Sequence, residues 1–309
     1  MQVKFNCMRK IQNKPIFMDK DDLSTNDINE LKQVAKFFNT HSLRLADNGA
    51  TVHYREAQEG STKACVILHG LTGTSYSMLL LADAYRRRGW RVMVPDLPGH
   101  GSSSAIPVKH MHDLADWLDT VLRQLCPEPT VLVGDSFGSS VALTYAQKYR
   151  LSPVTRLVLG APIPTLDSAL KIVDRVFART PDAAARRLYY TNRLLLGVRT
   201  NFLLAQRHRS DYRRLVEECI AIEGAQANHR YAETVLMGAN IDNNPFKIPL
   251  SEDLIGRTAV VYGDTDRLSG KRAARYLQEW AADAQVVEVP QCGHLVHIEG
   301  ISAMLDASE

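Results

Sequence analysis

Six short apolar runs, most of them separated by helical patterns, constrain this chain more than any other feature. They are Ala64-Cys65-Val66-Ile67-Leu68, Val92-Met93-Val94, Val131-Leu132-Val133, Leu157-Val158-Leu159, Ala259-Val260-Val261-Tyr262 and Val286-Val287. A run that is apolar at every position offers water no polar face, so it suits a strand covered on both sides, as in a parallel sheet. Between the runs the apolar spacing turns helical. The clearest stretch puts Leu114, Trp117, Leu118, Val121, Leu122 and Leu125 on one face. Such alternation predicts an α/β fold, a mostly parallel twisted sheet flanked by helices through right-handed crossovers.

The rhythm stops between Gly160 and Arg257. Pro162 and Pro164 open this interval, Pro245 and Pro249 close it, and its interior is rich in Leu, Ala and Arg. A structureless loop of that length does not suit a compact protein. Residues 162–250 are therefore expected to form a helical insertion on the sheet, with 42–161 and 251–309 making the core. Residues 1–41 read as an N-terminal extension, irregular over 1–23. A short helix follows, capped by Ser24 or Thr25, with Ile28, Leu31, Val34, Ala35 and Phe38 on one face. Ser42–Glu56 alternates as a hairpin should and turns at Asn48-Gly49.

Composition narrows the function classes. With 309 residues, 45% of them apolar and 23% charged, the chain is neither disordered nor fibrous, and it is large enough to fold without a disulfide or metal staple. A net charge of +3 is far from that of a dedicated nucleic-acid binder. Ala64–Ala82 is free of charge but is interrupted by His69, Gly70 and Gly73, so no membrane-spanning segment is expected. Lys4, Arg9 and Lys10 precede no apolar stretch of the kind a secretory signal needs. Cys7, Cys65, Cys126, Cys219 and Cys292 are odd in number, widely spaced and without a CxxC pair, which suggests free thiols in a reducing, cytoplasmic setting.

Gly134-Asp135-Ser136-Phe137-Gly138 follows the run Val131–Val133 and precedes a helix-forming segment from Ser139. This is a GxSxG nucleophile elbow in its strand–turn–helix setting. The sharp turn strains the serine backbone, close packing demands small neighbours, and the following helix points its N–H groups at a developing anion.

Together with four other segments, the elbow resembles the α/β-hydrolase superfamily. His69-Gly70-Leu71-Thr72-Gly73 is similar to its oxyanion loop, and Asp96-Leu97-Pro98-Gly99-His100-Gly101-Ser102 to the loop after its next strand. Gly263-Asp264-Thr265-Asp266 resembles its acid loop and Gly293-His294 its base loop. The likeness runs from about Ser42 to Ile301, and the insertion stands where the family places a cap. The resemblance implies a Ser-His-Asp mechanism without a metal or organic cofactor. Ser136 would be the nucleophile and His294 the base, with His297 as its rival. Asp266 would be the acid, since the family's acid usually stands three residues after the glycine. Asp264 stays open because the proline usual shortly after this loop is missing, and some relatives take the acid after an earlier strand, where Asp167 lies. Backbone N–H groups of Leu71 and Phe137 would form the oxyanion hole. The loop lacks the His-Gly-Gly-Gly form of one esterase group.

Other residues have plainer readings. His110-Met111-His112-Asp113 looks like the solvated first turn of a helix rather than a metal site. His100 reads as loop packing and Cys292 as a small buried residue. Arg175, Arg179, Arg186, Arg187, Arg193, Arg199, Arg207, Arg209, Arg213 and Arg214 read as a solvated face, with attraction of an anionic carrier as the alternative. Leu194–Leu196 and Phe202–Leu204 are expected to pack the insertion onto the core.

The expected reaction is hydrolysis of a carboxylic ester, with a small-molecule acyl ester as partner. A thioester, a carbon–carbon bond, or transfer to an alcohol would use the same machinery, and a non-catalytic binding protein of this fold is the different class. Epoxide and haloalkane chemistry fits poorly, because similar enzymes carry Asp where Ser136 stands. The sequence leaves the oligomeric state open.

Overall fold

The computed structural model describes residues 28–47, 49–126, 130–150, 154–164, 184, 190, 192–226 and 244–309. One eight-stranded sheet organises them. Its strands are β1 (Asn39–Arg44), β2 (Thr51–Ala57), β3 (Ala64–Leu68), β4 (Arg91–Pro95), β5 (Thr130–Asp135), β6 (Val154–Gly160), β7 (Thr258–Gly263) and β8 (Gln285–Val289). Their order across the sheet is β1-β2-β4-β3-β5-β6-β7-β8. The pairings β1–β2 and β2–β4 are antiparallel and all others are parallel.

The apolar runs have a direct physical cause. Strands β3, β5 and β7 are buried at every position. Successive side chains point to opposite faces, so Val66, Leu68 and Leu132 join the core on one side while Cys65, Ile67, Val131 and Val133 join the core on the other. The first core is covered by α3 (Met111–Leu125), α4 (Phe137–Tyr149) and the helix Gly270–Trp280. The second is covered by α1 (Ile28–Ala35), α2 (Leu79–Arg87) and the C-terminal helix Ile301–Asp306. β8 lies at the sheet edge and keeps only partial burial.

The hairpin and the first helix differ in detail from the sequence reading. β1 starts at Asn39, ahead of Ser42, because its pairing with β2 extends to Asn39 opposite Glu56. Phe38 lies beyond the end of α1 yet is buried, as are Leu31 and Val34. Ser24, Thr25 and Asn48 lie outside the described residues.

Among the described residues no strand occurs between β6 and β7. The longer helices there are α5 (Arg193–Leu203) and α6 (Arg209–Gln226), followed by a short one at Glu252–Ile255. Tyr190, Leu196, Leu204, Val216 and Ile220 form a third apolar cluster with Leu295 and Ile298 of the C-terminal segment. The expected packing of the two leucine-rich runs therefore holds only in part. Leu196 and Leu204 are buried, whereas Leu194, Leu195 and Phe202 face solvent because a single helix cannot turn every residue of an apolar run inward. Arg213 pairs with Glu217 one turn on, at 2.8 Å. Asp167, Arg175, Arg179, Arg186 and Arg187, and the side chain of Arg209, lie outside the described residues.

Candidate active site

β5 runs into α4 through Ser136, whose φ of 52° lies in a region that non-glycine residues seldom occupy. The turn survives because its neighbours hold it. Ser136 N donates to Gly160 O at 2.8 Å, and Ser139 Oγ donates to the carbonyls of Gly134 and Gly160, both at 2.8 Å. A Cβ on Gly134 would fall 2.4 Å from Gly138 O, and one on Gly138 would fall 2.4 Å from Leu68 O. Both glycines of the motif are thus required by close backbone contact.

His294 Nε2 lies 3.0 Å from Ser136 Oγ, and His294 Nδ1 lies 2.8 Å from Asp266 Oδ2. All three residues are nearly inaccessible to solvent. The second oxygen of Asp266 accepts from the amides of Leu268 at 2.8 Å and Ser269 at 3.2 Å. Burial is the largest influence on the Asp266 carboxyl and favours its neutral form. The His294 charge and hydrogen bond, with the two amides, outweigh it and hold the pKa below its usual value. Burial likewise pulls the His294 pKa down, but Asp266, then Asp135 and Glu299, together raise it above its ordinary value. Asp264 turns away: its Oδ1 accepts from Cys292 N at 3.3 Å. Cys292 is buried, and burial pushes its thiol well up.

The loop after β3 passes directly over the serine. A Cβ on Gly70 would lie 3.3 Å from Ser136 Cβ, so the backbone at Gly70, next to Leu71, packs closely on the serine. Phe137 is the first residue of α4, where helical N–H groups lack intrahelical acceptors. Two buried histidines fix the loop. His69 Nε2 accepts from Leu97 N at 3.0 Å, which leaves Nδ1 to donate to Gly70 O at 2.8 Å. Burial lowers the His69 pKa and keeps this pattern neutral. His100 Nε2 accepts from Thr72 N at 3.4 Å, and its ring lies 5.0 Å from that of His69. Asp96 accepts from Ser75 N at 2.7 Å and from Ser102 N at 3.1 Å, tying the same loop to the one after β4.

Two acidic residues near the site carried no motif signal. Asp135 Oδ2 lies 3.1 Å from His297 Nδ1, so the structure brings His297 to the carboxylate beneath the elbow and not to Ser136. Glu299, with its side chain fully buried, accepts from Gly293 N at 2.8 Å and Ala205 N at 2.9 Å, and meets His208 Nδ1 at 2.9 Å. At the start of α3, Asp113 accepts from the amides of Lys109 at 2.7 Å and His110 at 2.9 Å. No group of three or more His, Cys, Asp or Glu that could hold a metal ion occurs among the described residues.

A family model described as alpha/beta hydrolase fold matches residues 63–301. The chain belongs to the α/β-hydrolase family. Relatives of this α/β hydrolase include a pimeloyl-[acyl-carrier protein] methyl ester esterase of Aromatoleum aromaticum, 27% identical over 78% of this chain and 96% of that one. A 2-hydroxymuconate semialdehyde hydrolase of a Pseudomonas species is 27% identical over 74% of this chain and 78% of that one. Among solved structures, a thermophilic esterase from Thermogutta terrifontis superposes with a TM-score of 0.68, covering 87% of this chain and 96% of that one at 21% identity, a likeness of fold. This α/β hydrolase has no helix among its described residues long and apolar enough to cross a membrane.

Proposed function

We propose that this α/β hydrolase is a serine esterase that cleaves a small-molecule carboxylic ester through an acyl-enzyme. The observation that carries the reading is the hydrogen-bonded line from Ser136 Oγ through His294 to Asp266, at 3.0 and 2.8 Å. A hydroxyl is a weak nucleophile until a base takes its proton. His294 Nε2 takes it as Ser136 Oγ attacks the ester carbonyl, while Nδ1–H keeps donating to Asp266, which stabilises the imidazolium. The Leu71 and Phe137 amides stabilise the tetrahedral oxyanion, each donor contributing about 2.7–4 kcal/mol. His294 returns the proton to the departing alcohol. A water then attacks the acyl-enzyme, gives its proton to His294, and the carboxylic acid leaves as Ser136 recovers its hydrogen.

The helical insertion, 162–250, acts in this reading as a cap over a partly apolar acyl site on the 42–161 and 251–309 core, to which α1, Phe38 and the start of β1 are joined from the 1–41 extension. The relative named as a methyl ester esterase supports the substrate class. A cytoplasmic location is supported by the buried free thiols of Cys65, Cys126, Cys219 and Cys292. The test is hydrolysis of p-nitrophenyl esters of graded acyl length by wild type beside Ser136→Ala. Serine-dependent release is the expected result, and the length profile sizes the acyl site. No release from folded wild type would overturn the ester reading; thioester and carbon–carbon substrates would then be tried, and their failure would leave a binding protein.

A further inference from the structure

Glu299 stands on the short helix Val296–Glu299, and its side chain has no exposure to solvent. A buried carboxylate is costly unless it is fully hydrogen-bonded, and this one gathers three donors. Two of them, the Ala205 amide and the His208 imidazole, belong to the crossing from α5 to α6. The third is the amide of Gly293, the residue before His294. Beside it, His294 N donates to Leu203 O at 2.7 Å. Gly293 is pressed so closely on this crossing that a Cβ would lie 2.3 Å from Leu203 O.

We propose that Glu299 is a positioning residue for His294, clamping its loop to the helical insertion and placing a further negative charge behind the imidazole. The proposal rests on His294 being the base. The charged and titratable groups that bear on the imidazole are Asp266 from the loop after β7, Asp135 from the end of β5 with His297 against it, and Glu299 with His208. Cys292, beside Glu299, has its thiol held neutral chiefly by burial. Glu299 thus adds to the carboxylates that favour imidazolium, while its hydrogen bonds set where the ring sits.

Glu299→Gln keeps the length and one acceptor oxygen and removes the charge. The readout is the NMR titration midpoint of the His294 imidazole, which needs no substrate. The midpoint is expected to fall by about half a unit or more, with kcat for any cleaved ester falling roughly tenfold at unchanged KM. A purely structural role would leave the midpoint in place. An unchanged midpoint in the folded variant overturns the proposal. If that variant does not fold, His208→Ala carries the test, because it removes one donor from the clamp at a partly exposed site. Faster hydrogen exchange at the Gly293 and His294 amides is then expected, and unchanged exchange overturns the proposal. Wild-type turnover that survives Ser136→Ala would remove the esterase mechanism while leaving both readouts intact.

Discussion

Asp264 and Asp266 leave the same strand two residues apart, yet Asp266 faces His294 Nδ1 while Asp264 faces the Cys292 amide. Asp266→Asn should therefore lower kcat by about 10⁴, since the amide favours the wrong imidazole tautomer. Asp264→Asn keeps an acceptor for Cys292 N and should stay within about tenfold of wild type. Steady-state rates on one p-nitrophenyl ester decide between them, and equal losses would reopen the choice of acid.

The pH profile should reflect the raised pKa of His294. Only neutral imidazole can take the Ser136 proton, so kcat/KM should fall on acidification with a midpoint above 6.5. The stability effect has the opposite direction. A histidine with a raised folded-state pKa stabilises the fold fully below 6.5 and loses that contribution as pH rises through its folded value. For Asp266, whose pKa is lowered, the contribution is present above 3.8 and is lost as pH falls through the folded value. Wild-type Tm should accordingly show a downward step on the alkaline side of 6.5 that His294→Gln lacks. Thermal melts of both proteins across that interval provide the check.

Gly138→Ala should unfold the elbow or destabilise the protein by roughly 3 kcal/mol or more, because the new methyl meets the rigid carbonyl of Leu68 at 2.4 Å. Gly256→Ala is the matched control. Its Cβ meets nothing within 4 Å and its φ is −69°. It should be neutral or stabilising by up to about 1 kcal/mol. Urea midpoints of the two variants should separate accordingly.

Asp96→Ala should cost about 2–4 kcal/mol, since it strips the amides of Ser75 and Ser102 of a buried acceptor. The variant should also be less active, because the loop carrying Leu71 loses one of its ties to the loop after β4. Rescue of stability but not rate by added salt would contradict this account.

The sheet was legible because burial leaves a local trace. Val66 and Ile67 sit next to each other in the sequence but supply opposite cores, so the strand must be apolar throughout. The elbow was legible for the same reason, since Gly134 and Gly138 answer to backbone contacts within a few residues or on the adjoining strand. The family spacing favoured Asp266 but left Asp264 open, as either carboxylate suits the loop and only the folded turn aims it. Glu299 left no trace at all. Its donors Ala205 and His208 are 94 and 91 residues away, and a single buried Glu has no periodicity to announce it. The exposure of Leu194 and Phe202 was hidden for a related reason: an apolar run gives the composition of a helix face but not which neighbour covers it.

The contact of Gly293 with Leu203 also ties the helical insertion to the loop that carries His294. The crossing from α5 to α6 touches the base loop backbone to backbone, with the His294 N–Leu203 O bond at 2.7 Å sealing it. A movement that lifted this crossing would pull the imidazole away from Ser136 and disarm the site. The crossing and the His294 loop therefore behave as one mechanical unit, and a change that loosens Leu203 is felt at the histidine.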